Sequence, residues 1–348
     1  MAAAQPQAIL TPLTENAIFL VFTVTPEGTE AVRELLANVN GLRRSVGFRI
    51  PEAGLTCVSG IGAQLWERLF GPPAPAGLHP FQALEGPRHR APATPGDLLF
   101  HIRAHRLDLC FELARILTDR LAGCGQAVEE VHGFRSFDER DLLGFVDGTE
   151  NPEGESAAAA VLIGAEDPAY AGGSYVIIQK YLHDLGSWNA LSVAEQERAI
   201  GRTKLEDTEF PDAEKPANSH VALNTVTGTN GRQKQILRLN MPFGRVGIQE
   251  FGTYFIGYAR HPAVTEQMLT NMFIGDPLGN TDRILDFSTA MTGGLFFVPS
   301  ADFLDDPPAR RDPDDVNGVS PDDGAALDET APPDDGSLAI GSLRKDVP

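Results

Sequence analysis

Apolar residues recur along the chain at two spacings. Residues 17–24 (AIFLVFTV) form a nearly unbroken apolar run that predicts a strand. After a turn, residues 29–42 (TEAVRELLANVNGL) place apolar side chains at helical spacing. Residues 55–62 (LTCVSGIG) are a further short apolar run, 97–104 (DLLFHIRA) read as a strand, and 107–121 (LDLCFELARILTDRL) read as an amphipathic helix. The rhythm returns in the second half. Residues 172–184 predict a strand, and 193–201 predict a helix whose N-cap is Ser192. Strands follow at 234–243 and 252–260, then a helix at 264–273 and a closing apolar run at 295–300.

Strands and helices mix here without strict βαβ alternation. That predicts an α+β fold of antiparallel sheets with peripheral helices, and the count suits two ferredoxin-like halves. The expected domains are 1–145 and 146–304, followed by a linker at 305–334 and a terminal segment at 335–348. No GxGxxG follows a strand and no GxxxxGK[ST] occurs, so nucleotide-binding folds have no support.

Composition narrows the class. Of 348 residues, 42% are hydrophobic and 22% charged, enough for a sizeable core. No apolar run reaches the ~18 residues of a membrane-spanning helix. The first residues lack a basic n-region and a cleavage site, so neither a secretory nor a twin-arginine signal is expected. A net charge of −20 repels phosphate backbones and anionic lipid, which argues against nucleic acid and membrane as partners. Cys57, Cys110 and Cys124 show no CxxC spacing, which suits free thiols in a reducing, cytoplasmic compartment rather than a disulfide framework or zinc site.

The charge concentrates at the end. Residues 305–348 hold twelve acidic and four basic residues and seven prolines. So polar a stretch buries too little surface to offset its ordering entropy, and a disordered tether is expected. It ends in residues 335–345 (DGSLAIGSLRK), where Leu338, Ile340 and Leu343 bring apolar character back. Such a tip reads either as a docking peptide or as a frayed end.

Three stretches carry candidate chemistry. None of the eight histidines has HExxH spacing, and His220 stands alone in a polar, Pro-containing segment. A lone loop histidine is most often scaffold, and spacing alone does not make it a metal ligand. Residues 144–154 (GFVDGTENPEG) set Asp147 among turn-forming glycines, either as an Asx-turn carboxylate or as a group held beside a ligand that needs close backbone approach. In residues 237–244 (LRLNMPFG), strand alternation puts Arg238 and Asn240 on one face. That face is either solvated or suited to stabilising charge on a small bound molecule.

Together these motifs resemble the dye-decolourising peroxidases, haem enzymes of two ferredoxin-like halves, and in particular their compact bacterial B-type branch. The family's GxxDG signature matches Gly144, Asp147 and Gly148 and runs on into Thr149, Glu150, Asn151 and Pro152. Its proximal histidine motif matches Asn218-Ser219-His220-Val221, and its distal Arg-x-Asn strand matches Arg238-Leu239-Asn240. Segments 91–104, 200–204 and 282–288 are also similar, so the likeness spans roughly residues 6–302.

The resemblance implies a haem b cofactor, bound in the second half with His220 as axial ligand to iron. A carboxylate would take the other ring N–H. Asp282 and Asp286 are the candidates, expected one turn apart on a helix, with Asp286 preferred. On the distal side Asp147 would be the acid/base for hydrogen peroxide, Arg238 would stabilise negative charge on the departing oxygen, and Asn240 would orient peroxide or water. Because a carboxylate serves as base at lower pH than imidazole, an acidic optimum is expected. Arg202, Lys204 and the loop Gly148, Thr149, Glu150 and Asn151 are candidates for holding the haem propionates. Glu150 and Glu209 are candidates for a metal-ion reductant site. Trp66, Trp188, Tyr181, Tyr254 and Tyr258 are candidates for passing electrons from bulky dyes or phenolics near the surface. Residues 335–345 resemble the C-terminal peptide that loads such peroxidases into an encapsulin shell, and a homo-oligomer would gain avidity there. A haem carrier or store, or a haem-iron-releasing protein, would share the His220 ligation but needs no polar distal trio.

Overall fold

A computed structural model of the chain describes residues 4–311. The strands are β1 (Asn16–Val24), β2 (Thr56–Gly62), β3 (Leu84–Glu85), β4 (Arg90–Ala91), β5 (Leu98–Ala104), β6 (Gly125–Phe134), β7 (Ser174–His183), β8 (Leu237–Arg238), β9 (Met241–Arg245), β10 (Glu250–Ala259), β11 (Ser288–Ala290) and β12 (Gly294–Val298). The helices are α1 (Thr29–Gly47), α2 (Ala63–Phe70), α3 (Leu107–Arg120), α4 (Gly154–Val161), α5 (Leu185–Asn189), α6 (Val193–Ile200), α7 (His220–Asn224), α8 (Ala263–Phe273) and α9 (Ala301–Asp305).

The main sheet runs β6-β1-β5-β2-β12-β7-β10-β8, with β11 on β7 and β9 on β10. Every pairing in it is antiparallel. Numbered within each half, both halves follow the same 4-1-3-2 strand order, the ferredoxin-like arrangement. They join edge to edge where Phe296 faces Gly62 and Phe297 faces Ile61. The two outer ends also meet. A Cβ on Gly133 of β6 would lie 2.7 Å from that of Met241 on β9, and Tyr254 donates to Glu129 at 2.5 Å.

The uninterrupted apolar run of β1 has a structural cause. Ile18, Leu20 and Phe22 pack with Leu35, Leu113 and other helix residues on one face. Ala17, Phe19 and Val21 pack against Val176, Tyr254 and Tyr258 between the halves on the other. A strand covered on both faces has no polar side to alternate with. The expected helix at 193–201 forms as α6 with a complete capping box between Ser192 and Glu195.

Three elements depart from expectation. The strand expected at 234–243 breaks into β8 and β9 at Leu239 and Asn240: Leu239 N–H still donates to Ile256 O at 3.0 Å, but Ile256 N–H is taken by the Asn240 side chain. Strand β6 escaped the pattern because its outer face is charged and largely exposed. The segment after Asp282 is a short 3-10 turn, Arg283–Asp286. Residues 305–311 lie against the body. Arg33 donates to the carbonyls of Leu69, Pro307 and Pro308, and Arg311 N–H donates to Phe70 O at 2.9 Å. The remainder of the acidic linker and the apolar tip at 335–345 lie outside the described residues. Among the described residues no helix is long and apolar enough to cross a membrane.

Candidate active site

On β10, Tyr254, Ile256 and Tyr258 point into the core between the halves, so Thr253 and Phe255 face the other way. There, between the second sheet and helices α7 and α8, lies a cavity of about 920 Å³. Met268, Leu269 and Met272 of α8 give it an apolar wall.

His220 opens α7, directly after the N-cap Ser219, whose hydroxyl accepts from Ala222 N–H. Its Nδ1 lies 2.7 Å from Oδ2 of Asp282. Asp282 is fully buried, and its Oδ1 accepts the Ile284 amide at 3.0 Å, so the carboxylate is locked. Asn224 Nδ2 donates to His220 O at 2.8 Å. Burial works against the imidazolium, but the Asp282 charge and hydrogen bond outweigh it and hold the His220 pKa above its ordinary value. In the neutral ring, a proton on Nδ1 shared with Asp282 would leave the Nε2 lone pair available to a ligand, and among the described residues Nε2 has no hydrogen-bond partner.

The expected preference for Asp286 is corrected by this geometry. Asp282 caps the 3-10 turn from outside while Asp286 closes it, so the two acids do not share a helix face. Asp286 turns instead to Arg88 at 2.6 Å, His89 at 3.2 Å and Arg283.

Asp147, Arg238 and Asn240 come together on the same cavity. Asn240 sits in the gap between β8 and β9, where its side chain replaces the missing ladder. Its Oδ1 accepts Ile256 N–H at 3.0 Å, and its Nδ2 donates to both oxygens of Asp147 at 3.2 and 3.0 Å. Asn151 does the same for Arg238, accepting its N–H at 2.9 Å and donating to its carbonyl at 2.7 Å. Gly148, at φ +85°, allows the turn that brings Asn151 back. The Arg238 Nε is buried and has no partner. Arg238 lines the cavity, and a buried polar atom left without a partner beside it suits a site that takes a ligand or water.

Two further spaces open from these residues. One, about 700 Å³, runs past Gly148, Thr149, Glu150 and Arg202. Arg202 is held by Asp207 at 2.9 Å, Glu150 at 3.2 Å and Glu209 at 3.3 Å, and Thr149 donates to Asp207 at 2.6 Å. Lys204 does not line it. Its Nζ donates to Gln196 at 2.7 Å over the Phe145 ring, and burial lowers its pKa, so here it is turned away from that space. Glu150 and Glu209 are both engaged by Arg202, and among the described residues no group of three or more His, Cys, Asp or Glu side chains is arranged to hold a metal ion. The other space, about 390 Å³, leads from Asp147 and Arg238 past Arg135, Glu139 and Arg140.

Sequence reasoning missed Asp141 and His183, which also line the cavity. Burial pushes the Asp141 carboxyl up to about 7, with the Asp147 charge adding to it against its own backbone hydrogen bonds. His183 bonds Ser288 at 2.8 Å and Thr253 at 2.9 Å, and burial lowers it to about 4. The only advance signal was the DLLG turn pattern after Asp141. The aromatic residues Trp66, Trp188, Tyr181, Tyr254 and Tyr258 are all buried rather than near-surface, though the Tyr254 hydroxyl reaches Glu129.

The residues fit a planar iron cofactor. An imidazole nitrogen is free on the cavity, an apolar wall stands beside it, and a polar trio includes one unpartnered donor. A two-half α+β fold with that site in its second half defines a haem peroxidase. Residues 6–135 match the family model described as Dyp-type peroxidase, N-terminal, and residues 138–303 match Dyp-type peroxidase, C-terminal. The chain belongs to the Dyp-type peroxidase family. A dye-decolorizing peroxidase of Rhodococcus erythropolis is 61% identical over 342 residues, covering 98% of each chain. The encapsulated DyP-type peroxidase from Mycobacterium smegmatis, solved by cryo-EM, is 60% identical with a TM-score of 0.87, covering 89% of this chain and 100% of that one. Variants of the Rhodococcus jostii peroxidase, one in complex with heme and one with manganese, are each 56% identical with a TM-score of 0.85, covering 88% of this chain and 99% of theirs.

Proposed function

We propose that this peroxidase binds haem b through Nε2 of His220 and reduces hydrogen peroxide on the cavity face carrying Asp147, Arg238 and Asn240. Dyes, phenolics and other aromatic donors supply the electrons. When bound, haem iron supplies the redox centre at which the O–O bond is broken. Asp282 holds the Nδ1 proton and so makes Nε2 more electron-donating. Asp147 takes the proton from one peroxide oxygen and delivers it to the other, so that water leaves. Arg238 offsets the negative charge on the departing oxygen and, being always charged, never competes for that proton. Asn240 fixes the carboxylate of Asp147 through both of its oxygens. Arg202, Gly148, Thr149 and Glu150 border the space suited to the propionates, while Asn151 is turned onto the Arg238 backbone.

The observation that carries this reading is one cavity with an unpartnered imidazole nitrogen and an unpartnered guanidinium nitrogen beside a fixed carboxylate. A haem carrier or store has no use for the second and third groups. The decisive experiment compares haem-loaded protein with two variants. His220→Ala should lose the Soret band and turnover together. Arg238→Ala should keep the Soret band while peroxide-dependent dye oxidation falls about 10²-fold or more. Full turnover in His220→Ala, or an Arg238→Ala variant as fast as the parent, overturns the assignment.

The chain also fits the compact B-type branch and encapsulin cargo, acting in the cytoplasm inside a nanocompartment. The described chain ends at the surface beside Phe70, and a spacer to 334 separates it from the apolar tip at 335–345. Leu338, Ile340 and Leu343 would fill apolar pockets on the shell wall, and a homo-oligomer would present several such tips. The encapsulated Mycobacterium smegmatis relative supports this reading.

A further inference from the structure

Asp147 is carried by a tight hairpin, and Asp141 sits inside its turn. The Asp147 amide donates to Glu139 O at 2.9 Å, and Arg140 pairs antiparallel with Val146. One step further in, the Asp141 amide donates to Phe145 O at 2.9 Å, and Gly144 N–H returns to Asp141 O at 3.1 Å. Gly144 adopts φ +91°, which the turn requires. The Asp141 side chain fills what the backbone leaves open. Its Oδ1 accepts the amides of Leu143 and Phe145, each at 3.0 Å. Leu143 and Phe145 are buried against Trp188, whose Nε1 donates to Leu143 O at 2.9 Å, which fixes the turn on its inner side. At the open end of the hairpin Glu139 is held at φ +66°, a conformation a non-glycine residue keeps only where its surroundings enforce it.

We propose that Asp141 is a positioning residue for the peroxide reaction: by closing the 141–145 turn from within, its carboxyl group holds Asp147 against Asn240 at the cavity wall. This rests on Asp147 being the acid/base. Removing the acceptor leaves two buried amides unpaired, and the hairpin regains freedom at the end that aims Asp147. A displacement of the order of 1 Å at a reacting group costs about 10²-fold in rate. Asparagine keeps an Oδ1 in the same place and can accept both amides, so it restores the turn without the charge.

The test uses haem-loaded enzyme and the variants Asp141→Ala, Asp141→Asn, Asp147→Ala and the double variant Asp141→Ala/Asp147→Ala. Stopped-flow absorbance gives the second-order rate with hydrogen peroxide, and cyanide titration of the resting enzyme gives a readout independent of turnover. Asp141→Ala should slow the peroxide step and cyanide association by about 10–10²-fold with an unchanged Soret band, while Asp141→Asn stays within about threefold of the parent. In the Asp147→Ala background the Asp141→Ala change should cost nothing further, since it acts only through Asp147. An equal loss in both backgrounds, or an Asp141→Asn variant as slow as Asp141→Ala, overturns the proposal. Should Asp147→Ala itself leave the peroxide rate unchanged, it is the acid/base reading that fails, and the two failures are told apart.

Discussion

His220 and His183 face one cavity, yet their surroundings push them in opposite directions. His220 has the Asp282 carboxylate and is held above the ordinary histidine value. His183 has only the hydroxyls of Ser288 and Thr253, and burial lowers it to about 4. A histidine that stays neutral when folded but charges at about 6.5 when unfolded stabilises the fold above pH 6.5, and that contribution is lost as pH falls from 6.5 to about 4. Its full size is on the order of 3 kcal/mol. Denaturant melts of His183→Gln should therefore fall less steeply between pH 6.5 and 4.5 than those of the parent, and parallel curves would refute the assignment. The same scale shows why the proximal partner was misread. Asp282 and Asp286 have the same chemistry and near-equal spacing from His220 in sequence. What separates them is a 3-10 turn that places one outside as a buried cap and the other on surface cations. No pattern of residue types records that.

At the scale of elements, the active face depends on an interrupted strand. Alternation in 237–244 correctly put Arg238 and Asn240 on one side, and a continuous strand was the natural reading. The structure breaks the ladder and fills the gap with side-chain amides, Asn240 onto Ile256 and Asn151 onto Arg238. Removing the Asn151 side chain leaves an amide and a carbonyl of Arg238 without partners. Asn151→Ala should cost about 2–3 kcal/mol in chemical denaturation and slow the peroxide step, because the Arg238 backbone is no longer fixed. A loss under about 0.5 kcal/mol would show that water replaces both bonds. Helices α1, α3, α6 and α8 were legible because each buries an apolar stripe at helical spacing. Strand β6 was not, since most of its side chains stay in water and only Val131 adds an apolar group to the core.

For the whole molecule, two ferredoxin-like halves of equal strand order join into one sheet, and the cavity is lined mainly by the second, with Asp141 and Phe145 contributed from the segment that joins them. Arg33 and Phe70 of the first half hold residues 307–311. On the proposed reading, packaging and catalysis would be carried by separate parts of the chain. Deleting residues 335–348 should abolish co-purification with an encapsulin shell while dye oxidation with peroxide stays unchanged, and retained packaging would refute the docking role. The sequence by itself determined the α+β fold class and the family, because periodicity and ordered local motifs are written in residue order; His220, Asp147, Arg238 and Asn240 stood out as candidates only through the resemblance those motifs carry. Only the tertiary structure decided which carboxylate serves His220, that Arg202 is shared among three acids while Lys204 turns away, and that Asp141 sits under the hairpin of Asp147. Those choices depend on which side chains meet in space, some of them far apart in sequence and some close by, and that meeting is set by packing rather than by spacing along the chain.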